Sequence, residues 1–303
     1  MMNLMKHRKV FIGLAVLLVV FSLAVWYTKG LNYGVDFEGG TNIRFPVERK
    51  VTSTEVRTVL EGERFDEMDL KLTSPQPYAY IDSQGNQRHG VLVHTRFLNN
   101  QEQKMAVSAL EETFGQAGTE AGLDVYGVDP LIGEELLRNA LKAVIIACLL
   151  ILVYIAIRFE FLSGVAGLAA LIHDVLLVIG IFALLQKEID ATFIAALLTI
   201  IGYSINDTIV IFDRIRENQR FRKKGQSFDE VVNLSILQTM RRSLNTSVTT
   251  VLAILVLYLL GSPSIKNFCL AMIIGLMAGT YSSVFVASPL WAVWKNLSEK
   301  KRS

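Results

Sequence analysis

Six stretches of the chain are almost free of charge, and they set its class. They are Val10–Thr28, Ala143–Ile157, Leu162–Gln186 (broken by His173 and Asp174), Ala191–Phe212 (broken by Asp207), Ser243–Ile265 and Asn267–Trp294. A helix needs roughly 20 residues at about 1.5 Å each to cross a bilayer, and most of these runs approach that length. The Ala143 run is short and is expected to extend back through Leu136–Lys142, with Lys142 snorkelling to the interface. The pattern therefore predicts spans at 10–28, 139–157, 162–186, 191–212, 242–261 and 267–294. Between them lie a domain at 29–138 and a loop at 213–241, with tails at 1–9 and 295–303.

Within 29–138 the periodicity changes. Thr41–Val47 and Val91–Phe97 alternate as strands do, and Leu123–Val128 supplies a last strand. Asp69–Thr73 and Tyr78–Asp82 look like parts of one interrupted strand, followed by a turn at Ser83-Gln84-Gly85-Asn86. Ser53 or Thr54 can cap a short helix to Glu61, with Val56, Val59 and Leu60 as its apolar face. Asn100–Phe114 is a second helix, with Ala106, Val107, Leu110 and Phe114 on one side. The order β-α-β-β-α-β is that of a ferredoxin-like split unit. Its small size and lack of catalytic clusters argue for docking or binding. Ahead of it runs Gly34-Val35-Asp36-Phe37-Glu38-Gly39-Gly40-Thr41. Gly39 and Gly40 permit backbone angles or close approaches that other residues cannot. The run is either a tight turn into the first strand or a functional hallmark.

Charge adds a topology. Of the 303 residues 51% are hydrophobic and only 19% charged, against about a quarter in soluble domains. A soluble single-domain globule, a disordered chain, a disulfide scaffold and a DNA-binding domain are excluded. With the start placed in the cytoplasm, the cytoplasmic segments hold sixteen basic residues against six acidic ones. The short outer loops hold only Lys187 and Lys266 as basic residues, as the positive-inside rule requires. The domain then lies outside the cytoplasm and both termini lie inside it. The first run exceeds the usual 7–15 residues of a signal-peptide core, so it reads as a retained anchor. Ser227-Phe228-Asp229-Glu230 has the form of a capping box that starts an amphipathic helix leading to Arg242. Cys148 and Cys269 read as small buried hydrophobes. No phosphate-binding glycine loop, dinucleotide fingerprint or metal-spaced histidine cluster is present in the sequence. No cofactor and no enzymatic chemistry are expected.

Ionisable groups within spans are costly and are functional hypotheses by default. Asp207 lies in the fourth run beside Asn206, with Tyr203 and Ser204 one turn before it on the same face. Arg242, Asn245, Thr246 and Thr249 form a polar stripe at helical spacing at the start of the fifth. The two helices are antiparallel, so Asp207 and Arg242 are placed to pair. Such a site suits a proton relay, because desolvation and an opposite charge compete over the carboxylate. Asp174, midway along the third run, is either a second relay acid or a helix–helix hydrogen-bond partner.

Taken in order, these residues resemble a known family. Gly34–Thr41 is similar to the Phe-x-Gly-Gly region of the SecD/SecF family of protein-export membrane proteins, on its SecF side. Gly202-Tyr203-Ser204-Ile205-Asn206-Asp207 with Phe212–Asn218 resembles its fourth-span signature, and Arg242–Thr250 its fifth. Arg158-Phe159-Glu160-Phe161 and His173-Asp174 resemble its second-to-third-span region. The resemblance covers essentially the whole chain. It implies a six-span half of the resistance-nodulation-division (RND) type, carrying a small extracytoplasmic domain, in the bacterial inner membrane. The implied partners are SecD, the SecYEG channel, YajC, the translocating preprotein and membrane lipid, with no nucleic acid. The implied work is gradient-driven promotion of export, driven by protons or by sodium. Asp207, Arg242, Asp174, Tyr203, Asn206, Thr246 and Thr249 would line the ion pathway, and Phe37, Gly39 and Gly40 would serve conformational change. An RND-type small-molecule exporter subunit and a purely structural subunit are the competing readings.

Overall fold

The computed structural model describes residues 3–61, 75–81, 87–115 and 123–300. Its main elements in chain order begin with α1 (Arg8–Lys29), β1 (Gly40–Val47), α2 (Ser53–Leu60), β2 (Gln76–Ile81), β3 (Gln87–Thr95), α3 (Asn100–Phe114) and β4 (Asp124–Val128). Then come α4 (Pro130–Arg158), α5 (Phe161–Leu185), α6 (Ala191–Arg220), α7 (Phe228–Leu260), α8 (Lys266–Ser282) and α9 (Ser288–Lys300). A π-helical turn, Ser283–Ala287, joins the last two. The chain divides into two units. One holds Met1–Asn32, Lys142–Leu257 and Asn267–Ser303, and the other holds Tyr33–Leu141 and Tyr258–Lys266.

The second unit carries a four-stranded sheet in the order β2-β3-β1-β4, antiparallel at every neighbour. With α2 and α3 in the two crossovers, this is the ferredoxin-like arrangement. Period-2 alternation puts Ile43, Phe45 and Val47 on one face, where they pack with Val91, Val93, Val56, Leu60, Ala106 and Leu110. Pro46 sits in a central strand, yet it falls beyond the last β4 pair (Arg44 with Asp124), where β1 has a partner on one side only. Each crossover helix starts with a reciprocal cap. Thr52 with Glu55 caps α2, and Asn99 with Glu102 caps α3. The cap of α2 thus falls one residue before Ser53, because only Thr52 has a glutamate three residues on. The strands are shifted from their expected ends, with β3 beginning at Gln87 and β2 at Gln76. The expected strand Asp69–Thr73 and the turn at Ser83–Asn86 lie outside the described residues.

Among the described residues, six helices are long and apolar enough to span a membrane. This is a multi-pass membrane fold. Helices α5 and α6 and the continuous stretch Lys266–Ser298 are 44%, 50% and 61% buried over their most apolar windows, against 17%, 6% and 11% for the spans of α1, α4 and α7. The former three therefore make the centre and the latter three the periphery. Three helices run well past the apolar runs that announced them, α6 by continuing to Arg220 beyond the expected end at Phe212. α4 begins at Pro130, a residue suited to the first helical turn. α7 is unbroken from Phe228 to Leu260, so the expected loop helix and the fifth span are one element. The Ser227 hydroxyl accepts from the Glu230 backbone at 3.2 Å at its start. Close packing between α1 and α5 depends on Gly180, where an added Cβ would lie 2.3 Å from Ser22 Cβ. At one end of the unit Phe212, Phe228 and Trp291 pack edge to face, and Asp229 holds both Arg8 and Asn296.

Candidate functional site

Asp174 is 1% exposed and sits where α5, α6 and α8 meet. Its Oδ2 accepts from Ser204 Oγ at 2.6 Å and from Ser282 Oγ at 2.8 Å, while Oδ1 lies 3.0 Å from His173 Nδ1. A second layer follows. Thr208 Oγ1 and Ser283 Oγ are 2.9 Å apart, and Ser283 Oγ also donates to the Gly279 carbonyl at 2.7 Å. The π-helical turn starts at Ser283. Such turns disturb the regular ladder and often accompany functional sites. Three central helices are thus joined by hydroxyls around one carboxylate. The expectation for Asp174 left two roles open, and its geometry is that of a helix–helix hydrogen-bond node.

Asp207 lies one turn along α6 from Ser204 and is 8% exposed. Its carboxyl faces Ser243 and Ser247 of α7, within electrostatic reach of Arg242. Among the described residues no ion pair joins Asp207 to Arg242. The anticipated direct pair is absent because Arg242 leaves the helix on its exposed side, while the next residue, buried Ser243, points at the carboxyl. Among the described residues the Ser243 hydroxyl has no other hydrogen-bond partner, and it faces the Asp207 carboxyl. Tyr203, Ser204, Asn206, Asp207, Thr246 and Ser247 line a small cavity closed by Leu276, Gly279 and Thr280 of α8. It has room for about one water molecule. Thr280 Oγ1 donates to Ser247 Oγ at 2.6 Å across it. Ser204 belongs to both places, since it lines this cavity and donates to Asp174.

Beside the cavity the polar stripe of α6 and α7 is open. Tyr203 is 42% exposed, and Asn206, Arg242, Asn245, Thr246 and Thr249 are exposed as well. Thr246 and Thr249 satisfy themselves, donating to the Arg242 and Asn245 carbonyls at 3.0 and 2.9 Å. Among the described residues the side chains of Asn206, Arg242 and Asn245 find no hydrogen-bond partner. Uncovered polar groups of this kind are expensive in hydrocarbon.

In the sheet-bearing unit Phe37 is buried in a single helical turn, Val35–Glu38, that ends at Gly39. Gly39 and Gly40 have φ of 74° and 131°. A Cβ on Gly39 would lie 2.5 Å from Pro130 Cα, and one on Gly40 would lie 2.5 Å from the Thr95 carbonyl oxygen. The motif is therefore wedged between the end of β3 and the start of α4. Asp36 bonds the Tyr126 hydroxyl, which burial, and then the Asp36 charge, push up. The conformational motif and the cavity at Asp207 lie in different units.

Of the residues named from the sequence, Asp207, Tyr203, Asn206 and Thr246 line the cavity, Asp174 lies in the adjoining node, and Arg242 and Thr249 lie outside both; Ser243, Ser247, Thr280, Ser282 and Ser283 were not named as contributors. A signal was available. Ser282 and Ser283 are adjacent hydroxyls in an apolar run, one turn beyond Gly275-x-x-x-Gly279.

Comparison with known proteins gives a consistent result. Residues 109–297 match the family "Protein export membrane protein SecD/SecF, C-terminal", and residues 24–51 match "SecD/SecF GG Motif". The chain is 40% identical over 302 residues to the protein translocase subunit SecF of Alicyclobacillus acidocaldarius, covering 99% of this chain and 94% of that one. It is 36% identical over 300 residues to the protein translocase subunit SecDF of Bacillus subtilis, covering 98% of this chain but 39% of that protein. The crystal structure of SecDF from Thermus thermophilus, described as a translocon-associated membrane protein, superposes with a TM-score of 0.82 at 38% identity. That match covers 97% of this chain and 39% of the other.

Proposed function

The chain belongs to the SecD/SecF family of protein-export membrane proteins, and from that premise we propose that it works as a SecF subunit, coupling an ion gradient to preprotein export. In this reading it sits in the bacterial inner membrane with both termini in the cytoplasm, an orientation supported by the excess of basic residues in the segments on that side. It pairs with SecD, to which relatives such as the Bacillus subtilis protein are fused, and it acts beside the SecYEG channel, with YajC and the preprotein as further contacts. It is a coupling device rather than an enzyme.

One observation carries the reading. A buried carboxyl, Asp207, stands at a small cavity inside the span, and beside that cavity lies an exposed stripe in which, among the described residues, the side chains of Asn206, Arg242 and Asn245 have no hydrogen-bond partner. A second six-span protein would cover the stripe and leave a narrow polar path along Tyr203, Asn206, Thr246 and Thr249. Entry of a proton or a sodium ion at Asp207 changes its attraction to Arg242 and its contact with Ser243 and Ser247. One charge falling through 100 mV releases about 2.3 kcal/mol. Differential affinity of the ion for two arrangements of α6 and α7 turns that energy into movement. Asp174 ties α5 and α8 to the same stretch of α6 through Ser204, so a shift of α6 is felt by both.

The test is reconstitution with the partner subunit and the channel under imposed proton and sodium gradients. Asp207→Asn is expected to abolish gradient-dependent stimulation while assembly with the partner persists. Stimulation at the unsubstituted level would remove Asp207 from the mechanism. Drug efflux without any effect on export would favour an RND-type small-molecule exporter. Neutralising both Asp207 and Arg242 without loss would favour a purely structural subunit.

A further inference from the structure

The Arg158-Phe159-Glu160-Phe161 motif has no part in the cavity around Asp207. It forms the turn between α4 and α5, and a separate cavity of about 260 Å³ opens there. Arg158, Phe159, Glu160, Arg216, Gln219 and Trp291 line it. Its acids are engaged. Glu160 holds Lys295 through both oxygens, at 2.7 and 3.1 Å, and Asp213 lies 3.6 Å from Arg158. Arg216 spends one amine on the Arg158 carbonyl at 3.1 Å, and among the described residues the rest of its guanidinium fork has no partner. Trp291 is 2% exposed, and its indole N–H is buried without a hydrogen-bond acceptor. The cavity thus offers the Arg216 guanidinium, the Arg158 guanidinium that is shared with Asp213, and the Gln219 amide, with Glu160 held by Lys295.

That donor set fits a phosphate oxygen cluster. The flanks identify the form in which the phosphate arrives. Ile157 and Phe161, on either side of the motif, are 81% and 67% exposed, and Tyr154 is exposed one turn earlier on α4. Apolar side chains open to the surroundings beside a cationic pocket, at the end of two spans, match an acyl chain running down from a headgroup. We propose that this cavity is a binding site for an anionic phospholipid headgroup, with Arg158 and Arg216 on the phosphate and the Gln219 amide beside them. The lipid then pins the α4–α5 turn to α6 and to the segment after the π-helical turn.

The experiment is native mass spectrometry of the full chain with its partner subunit, titrated with phosphatidylglycerol or phosphatidylcholine. The intact protein is expected to retain one phosphatidylglycerol in preference to phosphatidylcholine. Retention should fall at least about tenfold for each arginine removed in Arg158→Gln and Arg216→Gln, as follows from about 1.5 kcal/mol for a hydrogen bond to a charged group. Arg222→Gln, an exposed arginine of the same region, should change nothing. Equal loss with Arg222→Gln would reduce the effect to general surface charge and overturn the site. Unchanged retention in the Arg158/Arg216 double variant would do the same. Release of the lipid by millimolar inorganic phosphate, with phosphate bound in its place, would overturn the assignment to a lipid and leave a free-anion site.

Discussion

Truncating Asp174 to alanine tests the centre of the helix packing. The carboxylate is 1% exposed and takes hydrogen bonds from Ser204 and Ser282 at 2.6 and 2.8 Å. The two serines differ in what they can do without it. Ser282 Oγ already has the Gly279 carbonyl at 3.2 Å as a second acceptor. Among the described residues Ser204 Oγ donates to Asp174 alone. Interhelical hydrogen bonds within membranes average about 0.6 kcal/mol and reach about 1.7 kcal/mol. The Asp174–Ser204 coupling should therefore fall near the upper figure, about 1.5 kcal/mol, and the Asp174–Ser282 coupling near the lower, about 0.6 kcal/mol. Double-mutant cycles with Ser204→Ala and Ser282→Ala, read by reversible unfolding in bicelles, measure both. A coupling to Ser282 equal to or larger than that to Ser204 would refute the fallback argument. Two couplings near zero would refute the node itself.

Further outcomes follow from the same geometry. Gly180→Ala should cost about 1–3 kcal/mol, because its Cβ would overlap the Ser22 side chain on α1. Ser22→Gly should recover most of that loss in the double variant, and bicelle unfolding reads both. Gly40→Ala should lower the yield of folded protein, since φ of 131° and the Thr95 carbonyl 2.5 Å away leave no place for a methyl group; unchanged yield and unfolding would contradict this. In the sheet-bearing unit the Arg96 guanidinium and the Asn99 backbone hold the Glu102 carboxyl below its ordinary value. That stabilisation is present above the unfolded carboxyl pKa, about 4.3, and is lost as pH falls through the lower folded value. Burial holds His94 below its ordinary value as well, so its own loss begins earlier, below about pH 6.5. Amide exchange of α3 and of β3 against pH should show these two windows, and Glu102→Gln should remove the lower one only.

Much of this protein was legible as a pattern. Uncharged runs disclosed the spans because a bilayer rejects charge over a fixed thickness, and alternation with turn chemistry disclosed the β-α-β-β-α-β order because one sheet face must be buried. Helical spacing also put Tyr203 and Ser204 on the face of Asp207. The ends of elements were less legible. α7 continues through the expected loop-to-span boundary at Arg242 because nothing there breaks a helix, and the hydropathy change marks only where lipid begins. What the tertiary structure alone decided is which faces meet. Ser282 is 108 residues from Asp174 and reaches it only because α8 lies against α5 and α6 at one particular rotation. Ser22 meets Gly180, and Asp207 faces Ser243 rather than pairing with Arg242, for the same kind of reason. Periodicity defines a stripe on each helix, but apolar helices in lipid are nearly interchangeable as neighbours. Their order and rotation come from small residues and hydroxyls fitting together, and that fit does not exist until the helices have packed.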